Sequence, residues 1–127
     1  MRILRDAKMK DNIIVEKSFA FAIRIVNLYR YLIKKNEFVL SKQVLRCGTS
    51  IGANVREAVQ AQSRADFLSK ISIALKESNE TLYWLELLDA TDFMAKRSYD
   101  SIHRDCDELI CILTKIVKTT RRSFVDK

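Results

Sequence analysis

The sequence predicts an all-α fold, an antiparallel up-down-up-down four-helix bundle forming a single domain over residues 1–127. Three observations carry this. Apolar residues recur every three or four positions over four stretches, approximately residues 12–35, 41–62, 64–90 and 98–121. The breaks between them are short, near Asn36–Glu37, Gln62–Ser63 and Thr91–Ser98. Finally, 127 residues contain no proline and two glycines, which leaves few residues suited to the tight turns of a many-stranded sheet. A glycine-looped nucleotide site is disfavoured by the same count.

In the first stretch, Lys17, Arg24, Asn27, Arg30 and Lys34 share one helical stripe. Nearly everything else from Ile13 to Ile33 is apolar, a wider arc than one contact needs. Glu16, Lys17, Arg24 and Arg30 interrupt it too often for a membrane span. Burial on two sides is expected instead, against the bundle and against another subunit. The second stretch begins at Ser41, a good N-cap. It holds both glycines, Gly48 and Gly52, one turn apart, and Leu45, Ile51, Val55 and Val59 keep the helical period across them. Each glycine costs a helix about 1 kcal/mol relative to alanine, so the pair predicts a smooth surface where another helix approaches closely. A polar stripe of Gln43, Arg46, Ser50, Asn54 and Glu57 lies on one face of this helix.

The third stretch opens on Ser63-Arg64-Ala65-Asp66, a capping box. Its apolar register is Phe67, Ile71, Ala74, Leu85 and Leu88, with Ser78 and Thr81 at the intermediate positions. In the fourth, Ile102, Cys106, Leu109, Leu113, Ile116 and Thr120 follow the alternating four-three spacing of a heptad seam.

Charge is unevenly placed. The formal net charge is +7; residues 1–63 hold 12 Lys/Arg against 5 Asp/Glu, and residues 115–127 hold 5 against 1. Such a distribution attracts phosphate backbones or an acidic partner. The candidate nucleic-acid contacts are Lys17, Arg24, Arg30, Lys34, Lys35, Lys42, Arg56, Lys115, Lys118, Arg121 and Arg122.

Nothing in the sequence anchors catalysis. The one histidine, His103, reads as a solvated surface imidazole, and no Glu-x-x-His of the di-iron type occurs. Cys47, Cys106 and Cys111 lack the spacing and partners of a zinc site, and read as small buried apolar side chains of a reduced, cytoplasmic protein. Residues 1–12 are charged and do not read as a signal peptide. The polar residues that do converge are Arg46 with Glu77 or Glu80, which face each other across an antiparallel helix pair, with Asn54 and Gln43 along the same seam.

Two blocks are more specific. Leu40-Ser-Lys-Gln43-Val-Leu-Arg46-Cys-Gly-Thr49-Ser50-Ile51-Gly52-Ala53-Asn54-Val-Arg-Glu57 resembles the signature of a bacterial four-helix-bundle family, found in reading frames within intervening sequences of 23S ribosomal RNA genes. Asp66-Phe67 and the run Ile73 to Leu88, with Glu77, Glu80, Tyr83 and Trp84, resemble that family's second block. The resemblance spans about residues 12–120. Cys47 replaces a usual Ser and Ala58 a frequent Gly. The family includes relatives of the accessory variability determinant of diversity-generating retroelements. The resemblance implies homopentameric rings, association with RNA or DNA, and no catalytic residue, metal or cofactor. It makes Gln43, Arg46, Gly48, Ser50, Gly52, Asn54, Glu57, Glu77, Glu80 and Trp84 a structural or interface constellation. The alternative to nucleic-acid binding is a protein–protein scaffold, or an accessory subunit of a nucleic-acid enzyme.

Overall fold

A computed structural model describes the backbone of residues 2–125 and the side chains of residues 13–125. Among these, four helices account for the fold: α1 (Arg2–Lys34), α2 (Leu40–Val59), α3 (Arg64–Ala90) and α4 (Lys96–Val125). Each packs on its neighbours in the chain, and α4 closes the ring on α1. Antiparallel direction is read from paired residues. Gly48 meets Ile25 while Gly52 meets Ser18, so numbers rise on α2 as they fall on α1. Likewise Arg46 reaches Glu80 and Glu57 reaches Lys70 across α2 and α3. The chain is an antiparallel four-helix bundle.

The core follows the spacing. On α1, Ile14, Ser18, Phe21, Ile25, Leu28 and Leu32 are buried, a four-three-four-three-four seam. On α3 and α4 every seam position named from the sequence is buried, from Phe67 to Leu88 and from Ile102 to Thr120. The seam hydroxyls bond back along their own helices: Ser78 Oγ donates to the Ala74 carbonyl at 2.9 Å and Thr81 Oγ1 to that of Glu77 at 2.7 Å. This satisfies them without a partner across the core.

The glycines serve a close helix contact, and the helix they meet is α1 of the same chain. A Cβ on Gly48 would lie 2.7 Å from Ile25 Cγ1, and one on Gly52 would lie 3.4 Å from the Ser18 carbonyl oxygen. Neither glycine ends a helix. That task falls to Asn36 and Asp92, the two non-glycine residues with positive φ (63° and 64°). In each case the next amide closes a wide loop, Glu37 N to Leu32 O at 3.0 Å and Phe93 N to Leu88 O at 3.0 Å. The capped residue's own amide donates three back, to Ile33 O and to Asp89 O. These are Schellman ends with Asn and Asp in the position glycine usually takes.

Several boundaries differ from the sequence expectation. Helix α1 begins at Arg2 rather than near residue 12, since no proline or glycine breaks residues 2–12. Helix α4 starts two residues before Ser98 and continues to Val125, beyond residue 121. Helix α2 stops at Val59 rather than near 62, where Gln60 N and Ala61 N each turn three residues back to Glu57 O and Ala58 O. Ser41 is not the N-cap of α2. Its hydroxyl donates to the Glu37 carbonyl at 2.8 Å, while the Glu37 carboxylate accepts from Val39 N at 3.1 Å and Ser41 N at 2.7 Å. A glutamate two residues before the N-cap position thus satisfies the free amides. Ser63 behaves as expected, extended at φ −152° and accepting from Asp66 N at 3.0 Å.

Candidate functional site

On the α2–α3 face the expected constellation gathers in part. Arg46 donates through Nη1 to Glu77 Oε2 at 3.4 Å and through Nη2 to Glu80 Oε2. Trp84 Nε1–H donates to the same Glu80 oxygen at 3.1 Å. The spacing explains this: 77, 80 and 84 fall on one side of α3, and Arg46 lies level with them on the antiparallel α2. Tyr83 packs its ring edge-on to Trp84 at 5.1 Å and is itself exposed. Glu77 is buried while Arg46 is half exposed. The arrangement sets one cation against two carboxylates, which suits fixing helix register more than chemistry.

The other members stand apart. Asn54 Nδ2 donates to the Ser50 carbonyl of its own helix at 2.9 Å, Glu57 pairs with Lys70 at 3.7 Å, and Gln43 is exposed. The expected seam bonding of Asn54 and Gln43 to α3 is therefore absent among the described residues; Asn54 is taken by its own backbone. Gly48 and Gly52 face α1, away from the cluster.

The thiols divide. Cys47 and Cys106 are fully buried, and burial pushes both up, Cys106 to about 12, so neither is a nucleophile near neutral pH. Cys106 Sγ contacts the Ser78 carbonyl at 3.4 Å across α3 and α4. Cys111 corrects the expectation of three buried thiols: it is exposed, because it falls five residues after Cys106, off the seam. His103 is partly covered rather than freely solvated, with Nδ1 3.4 Å from Asp107 Oδ2 and its ring 5.3 Å from that of Tyr99. Among the described residues no group of three or more His, Cys, Asp or Glu is placed to hold a metal ion.

The cations fall into three sets. Lys17 and Arg24 are engaged inside the molecule, by Glu108 at 3.0 Å and Asp105 at 2.6 Å on α4, and so leave the list of free contacts. Arg30, Lys34, Lys35 and Lys42 stand exposed at the α1–α2 turn, where Lys35 lies over the Tyr31 ring. Arg56, Lys115, Lys118, Arg121 and Arg122 stand exposed at the opposite end, with no carboxylate partner among the described residues. Arg64 joins this end and was missed from the sequence. Its guanidinium donates to the Ser123 carbonyl at 3.4 Å and covers the Phe124 ring at 5.4 Å. The signal was the antiparallel layout itself, which sets the start of α3 beside the end of α4.

A family model described as 23S rRNA-intervening sequence protein matches residues 10–115. The chain belongs to that family. A protein with unknown function from the S23 ribosomal protein family of Bacteroides thetaiotaomicron has a solved crystal structure with the same fold. It is 58% identical, with a TM-score of 0.84 over 86% of this chain and 98% of that one. No curated protein matches the chain. Within the 23S rRNA-intervening sequence family, the two signature blocks correspond to α2 and α3, whose shared face carries the Arg46–Glu77–Glu80–Trp84 cluster. The family match includes Arg56 and Lys115 and ends before Lys118, Arg121 and Arg122. Among the described residues no helix is long and apolar enough to cross a membrane.

Proposed function

We propose that this member of the 23S rRNA-intervening sequence family is a non-enzymatic, cytoplasmic, oligomeric bundle that binds RNA or DNA through a basic surface. The observation that carries the reading is the end of the bundle where Lys115, Lys118, Arg121 and Arg122 of α4 stand exposed beside Arg56 and Arg64. Cations without carboxylate partners are available to phosphates, and such binding is sequence-tolerant and driven by counterion release. Self-association is supported by α1, where Phe19 and Ile23, four residues apart, are each about half exposed. The resemblance implies a homopentamer.

The test is a mobility-shift titration of duplex and single-stranded RNA over a salt series. Affinity should fall steeply with salt, and replacing Lys115, Lys118, Arg121 and Arg122 by glutamine should flatten the log–log slope by about 3 to 4 for a duplex. No shift at low salt with intact oligomer, or a slope unmoved by the four substitutions, refutes nucleic-acid binding at this end. The protein–protein scaffold then becomes the better reading, with exposed Tyr83 at the edge of the Arg46 cluster as its starting point.

A further inference from the structure

Helix α1 packs mainly on α2, and α4 mainly on α3, so the α1–α4 seam is the thinnest of the four. Toward the end where α4 begins, this seam opens into a crevice of about 370 Å³. Leu28 and Ile102, both core residues, and Met94, partly buried, form an apolar floor. Asn27 and Ser98 stand exposed at the rim, and Arg24 completes it. Arg24 spends one nitrogen, Nη1, on Asp105. A guanidinium carries five N–H donors in a planar fork, so most of its donor capacity remains for a second acceptor.

We propose that this crevice is a binding site for a small aromatic monocarboxylate. The volume lies within the range of small-molecule sites, where an apolar lining takes the body of a ligand and a few polar groups fix its orientation. Here the ring lies on Leu28, Ile102 and Met94, and the carboxylate accepts from Arg24 at the rim. One guanidinium already half-neutralised by Asp105 matches a single negative charge better than a phosphate or a dianion. The site is separate from the basic end on which the nucleic-acid reading stands, so the two stand or fall independently.

The probe is 2-naphthoate, titrated into the full-length ¹⁵N-labelled protein, with 2-naphthamide as its uncharged counterpart. Amide shifts should saturate with naphthoate and concentrate on residues 24–31 and 94–102. Arg24→Gln should weaken binding about tenfold, the worth of one charge-assisted hydrogen bond. Asp105→Asn should tighten it several-fold by releasing Nη1, a gain that a purely structural ion pair would not produce. Ala95→Trp, at an exposed position on the crevice wall, should abolish binding while the thermal unfolding midpoint stays near that of the parent. Shifts that fail to saturate, equal binding of the amide, or undiminished binding by the Ala95→Trp variant would each overturn the proposal.

Discussion

Two glycines one turn apart on the same helix have opposite roles. At Gly48 an added methyl would press within 3.0 Å of three atoms of Ile25, which is itself fully buried and has nowhere to move. Overpacking of this kind costs about 1–3 kcal/mol, more than the roughly 1 kcal/mol that alanine returns as helix propensity. At Gly52 the methyl meets only ordinary contact, 3.4 Å from the Ser18 carbonyl oxygen. Gly48→Ala should therefore lower stability by about 1–2 kcal/mol and Gly52→Ala should raise it by up to about 1 kcal/mol. Urea denaturation of the two variants checks the signs; two shifts of the same sign would refute the packing account. Cys106 provides a second residue-scale prediction. Burial raises its thiol from 9.0 to about 12. Above pH 9 the unfolded chain releases that proton and the folded chain does not, so the thiol's contribution is whole below pH 9 and is lost as pH climbs toward 12. At pH 10 the loss amounts to about 1.4 kcal/mol. Denaturant midpoints at pH 8 and pH 10 should consequently fall further for the parent than for Cys106→Ala, in which the buried thiol is gone.

Helix ends obey a different economy from helix interiors. Both glycines lie inside α2, so the left-handed positions that end α1 and α3 fall to Asn36 and Asp92. These side chains tolerate that region better than most, at a residual cost that glycine lacks. Asn36→Gly and Asp92→Gly should each stabilise the bundle by about 0.5–1 kcal/mol, read as a rise in the thermal midpoint, with helix content unchanged. The contrast explains what the sequence could and could not disclose. Seam residues such as Ile71 and Leu113 were readable because burial on one helix face imposes a three-four spacing, whichever partner lies opposite. The Ser63 cap was readable because its acceptor and donor are three residues apart. The cap at α2 was not, because Glu37 performs it from outside the helix and leaves Ser41 looking like the obvious candidate. Arg46 with Glu77 and Glu80 was readable once the pair was known to be antiparallel. Lys17 and Arg24 were misassigned as free cations because their partners, Glu108 and Asp105, lie at the far end of the sequence.

At the scale of the whole molecule, the wide apolar arc of α1 is partly accounted for. Its inner side fills the core through Ile14, Phe21, Ile25, Leu28 and Leu32. The glycine surface of α2, offered from the sequence as a reason for self-association, is spent inside the chain on that same helix. What remains outside is Phe19 at 51% and Ile23 at 50% exposure, four residues apart, with Val15 and Val26 half-buried along the same stripe. Arg56 covers one face of the Phe19 ring at 4.9 Å, which leaves the other face to solvent or to a neighbour. An apolar stripe on the outer surface of a bundle is the usual mark of a protein contact, and burying two large side chains at a dimer or ring interface is worth several kcal/mol before the costs of association. The double variant Phe19→Lys, Ile23→Lys changes only surface positions of the monomer and places like charges where copies would meet. Light scattering at micromolar concentration should give the parent a mass that is a multiple of 14.8 kDa and the variant 14.8 kDa itself, with circular dichroism unaltered. A parent already at 14.8 kDa would refute self-association, and a variant that keeps the parent's mass would move the interface off this stripe.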